Sequence, residues 1–171
     1  MEILTNVGRI KDNLFLIPQK RFLEITKDIN YTDSLIYFLA CTILSIPIIL
    51  LVGLITGTFM GTLFTLPLSF LIGIPLTYVF FGIQFLLLKL VGGKGTFLQS
   101  VQIFIYGETI SSIFGGLPYL NLIFGLISLA NIVLGSVEVH KISLFRAIIA
   151  IFVIPTIIFI LLVLLSLSLA A

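Results

Sequence analysis

Between Asp33 and Lys89 the chain carries no charged side chain, and this gap restricts its possible folds more than any other feature. A single helix made from the run, about 55 residues at about 1.5 Å each, would extend roughly 80 Å. A bilayer's hydrocarbon core is about 30 Å thick and takes about 20 helical residues. The run is therefore predicted to cross a membrane twice. Its turn is predicted at Thr56-Gly57-Thr58-Phe59-Met60-Gly61-Thr62, with Pro67 just beyond. That gives spans at residues 35–55 and 67–90.

The same reasoning applies between Lys94 and Glu138, where Glu108 is the one charge and Gly115-Gly116-Leu117-Pro118 marks a turn near the middle. Spans are predicted at 97–114 and 119–137. A fifth, at 147–169, follows from the uncharged run Ala147 to Ala171, interrupted only by Pro155. With 60% of its 171 residues apolar and 9% charged, against about a quarter charged in soluble domains, the chain is excluded from the water-soluble class. The expected fold is all-α, an integral membrane bundle of five transmembrane helices preceded by a short amphipathic N-terminal helix. Residues 1–33 form the N-terminal segment and 34–171 the membrane domain.

Bases in short loops favour the cytoplasmic side. With the N-terminus inside, all nine Lys and Arg residues fall on one face: the N-terminal segment, the loop at Lys89 to Lys94, and the loop from Glu138 to Arg146. The opposite turns and the C-terminus carry none, so an N-in, C-out orientation is expected. Pro18 suits a first helical position, and Phe22, Ile25 and Ile29 follow at helical spacing among charged residues. A helix lying on the inner membrane surface is the expectation. Asn30 to Asp33 offers cap residues for the first span, and Tyr31 and Tyr37 suit the interface. No basic start, apolar run and small-residue cleavage site marks a signal peptide. The net charge of +2, without a basic run, argues against nucleic acid as a partner. Cys41, the one cysteine, reads as a small buried side chain.

On the third span Gln99, Gln102, Tyr106, Thr109, Ser112 and Gly116 recur at spacings of three and four, a polar stripe that should turn toward other helices. On the fourth, Asn121, Gly125, Ser128, Asn131 and Gly135 form a small and polar seam expected to fit that stripe. Gln102, Tyr106 and Asn131 are thus candidate intramembrane residues, together with Glu108. A charge at Glu108 would cost at least a few kcal/mol in hydrocarbon. The carboxyl is therefore protonated, paired, or in a wet cavity; a proton or cation pathway is one reading and a neutral hydrogen-bonded carboxyl the other. Gly53, Gly57 and Gly61 read either as a tandem GxxxG or as turn residues, and Pro47, Pro75 and Pro155 should bend their spans.

Glu138 and His140 supply two metal-ligand types, but a site needs three or four and no third lies nearby. No metal and no cofactor is expected. The sequence carries no HExxH, no GxSxG with its partners, and no GxxxxGK[ST]. Catalysis is not expected.

Several segments occur in a recognisable order: Pro18 then Phe22, five spans, the loop Gly92-Gly93-Lys94-Gly95-Thr96-Phe97, a Gly-Leu-Pro turn, and Val137-Glu138-Val139-His140-Lys141-Ile142-Ser143 followed by Arg146-Ala147. From about Leu16 to the C-terminus the chain resembles the YIP domain, the membrane domain of Ypt/Rab-interacting proteins and their prokaryotic relatives. The resemblance implies a non-enzymatic membrane protein with a cytoplasmic N-terminus; eukaryotic members act in vesicle traffic through small GTPases and one another. Those members carry a long cytoplasmic extension before span one where this chain has only residues 1–33, which points to a prokaryotic relative in the cell membrane. The expected role is a membrane scaffold or interaction protein, with Lys94, Glu138, His140 and Lys141 at its cytoplasmic contact surface and a membrane protein or a second copy as partner. A small transporter or channel using Glu108 is the alternative.

Overall fold

The uncharged run folds as predicted into two long helices, and the described residues form an all-helical structure without strands. The computed structural model describes residues 9–158 together with 160 and 163. A helical turn at 9–12 and an extended stretch lead into α1, Gln19–Asp28. Pro18 stands just before its first residue. Then come α2, Tyr31–Ile55; α3, Phe59–Leu90; α4, Phe97–Gly107; α5, Thr109–Phe114; α6, Asn121–His140; and α7, Leu144–Ile148, which continues as a π-helical turn at Ile149–Val153.

Three of these, α2, α3 and α6, are long and apolar enough to cross a membrane. The segment 97–114 is divided into α4 and α5 at Glu108, whose φ and ψ of −87° and 5° leave the helical region. The last apolar helix runs over Leu144–Ile158, and most of the predicted span 147–169 beyond it lies outside the described residues.

The first turn is tighter than predicted. It closes at Thr56 to Thr58, with Gly57 at φ 73°, and α3 begins at Phe59, eight residues ahead of the expected 67. Gly61 and Pro67 are therefore helical. Local turn chemistry is fixed by the one residue that must take positive φ, while a membrane helix accommodates proline. Gly53 serves the same closure, since a methyl there would lie 3.0 Å from Oγ1 of Thr62. Gly61 has open space around it. At the other end, α6 extends through Glu138 to His140, so the predicted loop shrinks to Lys141-Ile142-Ser143, with Lys141 left-handed at the C-cap.

Asn30 caps α2 by accepting from Asp33 N at 2.8 Å. Thr96 and Gln99 form a reciprocal capping box on α4. Near Pro155, which lacks an N–H, the backbone widens to a π-turn and Ile154 N–H bonds to Ile149 O. The core lies where α4, α5 and α6 meet α1 and α2, and Phe104, Ile103, Tyr37 and Phe22 are fully enclosed there. The middle of α3 instead turns Leu68, Leu71, Ile72 and Leu76 outward, the belt expected of a lipid-facing helix.

Candidate functional site

The Gly92–Phe97 loop and the Val137–Ser143 segment, far apart in sequence, fold onto each other. Lys94 N donates to His140 O at 2.9 Å. His140 is completely buried, and the loop crosses its ring so closely that only glycine fits. A methyl at Gly93 would lie 2.8 Å from His140 Nδ1, and one at Gly95 2.8 Å from Cε1. Gly92 takes φ 94° to start the crossing. The Ser100 hydroxyl lies 2.8 Å from His140 Nε2 and 3.1 Å from Thr96 O. If Ser100 donates to the carbonyl, Nε2 carries the ring proton, which fixes the tautomer. His140 is thus a spacer beneath the loop, and it is inaccessible to a partner. Around it Lys94 and Lys141 are exposed, with Lys141 Nζ 3.1 Å from Glu138 Oε1.

The N-terminal segment is strapped along α6 from its middle toward the same end. Asn131, fully buried in α6, accepts from Ile17 N at 2.9 Å and donates to Phe15 O at 2.7 Å. One side-chain amide thus grips the backbone on both sides of Leu16, as a neighbouring strand would. Gln102 donates to Ile29 O at 2.6 Å and to Ser34 Oγ at 3.3 Å. Between these two grips, Phe22 of α1 sits over Gly135, where a methyl would lie 2.8 Å from its Cδ1. Phe22 and Ile25, expected to rest on lipid, are buried against protein.

The seam meets both the N-terminal segment and the third-span segment. Asn131 grips the strap, Gly135 lies against both Phe22 and Ile103, and Ser128 donates to Ser111 Oγ at 2.9 Å. The stripe faces α2. Tyr106 packs on Tyr37 with ring centroids 4.3 Å apart and the rings tilted by 34°. Tyr37 OH lies 2.7 Å from Thr109 Oγ1, and Gly116 lies against Ile49. Tyr37 is thus a core residue, whereas Tyr31 is partly exposed and contacts Tyr78.

Glu108 joins only Ser112 of this stripe. It lines a cavity of about 260 Å³ between α2, α3 and α5, and a second of about 360 Å³ along α3. No described residue gives its carboxyl a hydrogen bond or an ion pair. Nearby, Tyr37 packs on Tyr106 and Phe81 stacks on Phe104 at 5.2 Å, all four rings buried, and Phe81 lines the second cavity.

Residues 13–167 match the family profile described as the Yip1 domain. The chain belongs to the Yip1 domain family. No curated protein and no solved structure matches it. The matched residues include the Gly92–Phe97 loop, the Val137–Ser143 segment and the strap. Of the candidate residues, Lys94, Glu138, His140 and Lys141 come together where that loop meets that segment; Gln102 and Asn131 hold the strap; Tyr106 packs on Tyr37; Glu108 stands apart. Sequence reasoning missed Ser100, and Gly93 with Gly95 as the fitted cover of His140. The glycine spacing around Lys94 was the available signal. Among the described residues, no group of three His, Cys, Asp or Glu side chains lies together.

Proposed function

We propose that this Yip1 domain is a non-enzymatic, five-span membrane scaffold whose basic, cytoplasmic end receives an acidic segment of another membrane protein or of a second copy. The observation that supports this most directly is the construction of that end. Two loops and the N-terminal strap are pinned to one another through buried His140, Asn131 and Gln102, while Lys89, Lys94 and Arg146 stay exposed without an ion pair among the described residues. A rigid base under unpaired cations suits recognition, because little ordering entropy is lost on binding. A small GTPase as partner rests on the family alone.

The test is photo-crosslinking in native membranes from a probe at Lys94. A discrete adduct is expected, reduced in the Lys89→Glu/Lys94→Glu variant. If no adduct forms, or if charge reversal leaves it unchanged, the scaffold reading fails.

A second reading, a small transporter or channel, is favoured by one observation: the unpartnered Glu108 lines a cavity. Liposomes loaded with a pH or ion indicator decide this reading. Absent flux, or flux equal in Glu108→Gln, removes it.

A further inference from the structure

The cavity beside Glu108 has a definite chemical polarity. Four hydroxyls on its wall already donate their protons to carbonyls of their own helices: Thr42 to Phe38 O, Ser45 to Thr42 O, Ser69 to Thr65 O and Thr77 to Gly73 O. What they can offer a ligand is lone pairs. With the Glu108 carboxyl added, the wall is rich in acceptors, and of its hydroxyls only Ser112 keeps a proton free to donate. Phe38, Phe70 and Ile74 complete the lining with apolar surface. The space, about 260 Å³, is too large to wrap a bare metal ion, whose oxygen ligands must converge to within about 2.6 Å. It approaches the size of pockets that hold small organic molecules, mostly apolar with a few placed polar groups.

We propose that this chamber binds a protonated amine carried on an apolar body, the ammonium beside Glu108 and the body against Phe38, Phe70 and Ile74. An ammonium has three donors and no acceptor, the complement of this wall. An amine and a carboxyl also make the same pair whichever of them holds the proton before they meet. The amine comes either from an aminophospholipid headgroup or from a free hydrophobic amine. The proposal is independent of the scaffold reading and requires no flux.

The test is equilibrium binding of radiolabelled 2-phenylethylamine to the full chain in phosphatidylcholine nanodiscs, with unlabelled 2-phenylethanol and 3-phenylpropionate as competitors. Saturable binding is expected, displaced by neither competitor at matched concentration. Glu108→Gln should weaken it about tenfold or more, as for loss of a charge-assisted hydrogen bond. Gly73→Leu provides a steric test: Gly73 lines the chamber and has nothing within 4 Å of where its Cβ would be, so a leucine should fold and occupy the space, abolishing binding with Glu108 intact. Repeating the measurement in discs containing phosphatidylethanolamine identifies the source; competition by the lipid assigns the headgroup, and unchanged binding assigns the free amine. Equal displacement by 2-phenylethanol, or undiminished binding in both variants, overturns the proposal.

Discussion

His140 shows how a residue that resembles a reactive or ligating group becomes a packing element. Its ring fills the space beneath Gly93 and Gly95, and its Nε2 is held by Ser100. Because the two glycines fit this particular ring, the substitutions should couple. Gly95→Ala alone forces a methyl to 2.8 Å from Cε1 and should lower stability by about 1–3 kcal/mol. In a His140→Ala background the same methyl enters a void, and much of that loss should disappear, a coupling of about 0.5–3 kcal/mol. Thermal unfolding of the four proteins of the cycle in one detergent measures this. Additive losses would mean that ring and loop do not touch. The sequence showed His140 as a lone histidine without metal partners, and its role stayed hidden because nothing in a linear spacing tells which distant loop covers a side chain.

At the scale of elements, α1 is held by α4 and α6 through groups that periodicity located but could not pair. The stripe and the seam were legible, since spacings of three and four define a helix face. Their partners were not, because a face carries no record of what meets it, and the N-terminal segment intervened. The start of α3 was misread for a related reason: Gly61 and Pro67 look like turn residues, yet a single positive φ at Gly57 suffices to reverse the chain. The break at Glu108 left no signal in a pattern that assumes a continuous helix. These pairings have consequences. Asn131→Leu removes both partners of Phe15 O and Ile17 N–H, each worth about 1–3 kcal/mol when buried and unsatisfied. The strap should detach, so limited proteolysis near Leu16 should be much faster while the remaining bundle stays protected. Gly135→Val, which pushes into Phe22, should accelerate the same cleavage, and Phe22→Ala should partly rescue Gly135→Val. Cleavage at the wild-type rate in both single variants would show that the strap is held by other contacts.

For the whole molecule, the proposed two-ended arrangement rests on the placement of nine bases, and the contact between two of the basic loops is consistent with it. Charge counting assigns the loop at Lys94 and the loop at Lys141 to one face, and the fold brings them into contact through Lys94 N and His140 O. The proposed orientation puts the turns at Thr58 and Tyr119, which carry no bases, on the other face; Tyr119 is 93% exposed. Five crossings require these two pairs to lie on opposite sides of the bilayer. The single, buried Cys41 makes this measurable, since Cys41→Ser gives a thiol-free background and each turn can receive one cysteine. A membrane-impermeant maleimide on intact cells should label Thr58→Cys and Tyr119→Cys. Lys94→Cys and Lys141→Cys should react only after permeabilisation. Labelling of Lys94→Cys and Lys141→Cys from outside would reverse the orientation and leave the span count intact. Thr58→Cys and Tyr119→Cys reacting from different sides would instead remove a crossing between them, and the division of the third span at Glu108 would then be where the chain turns back.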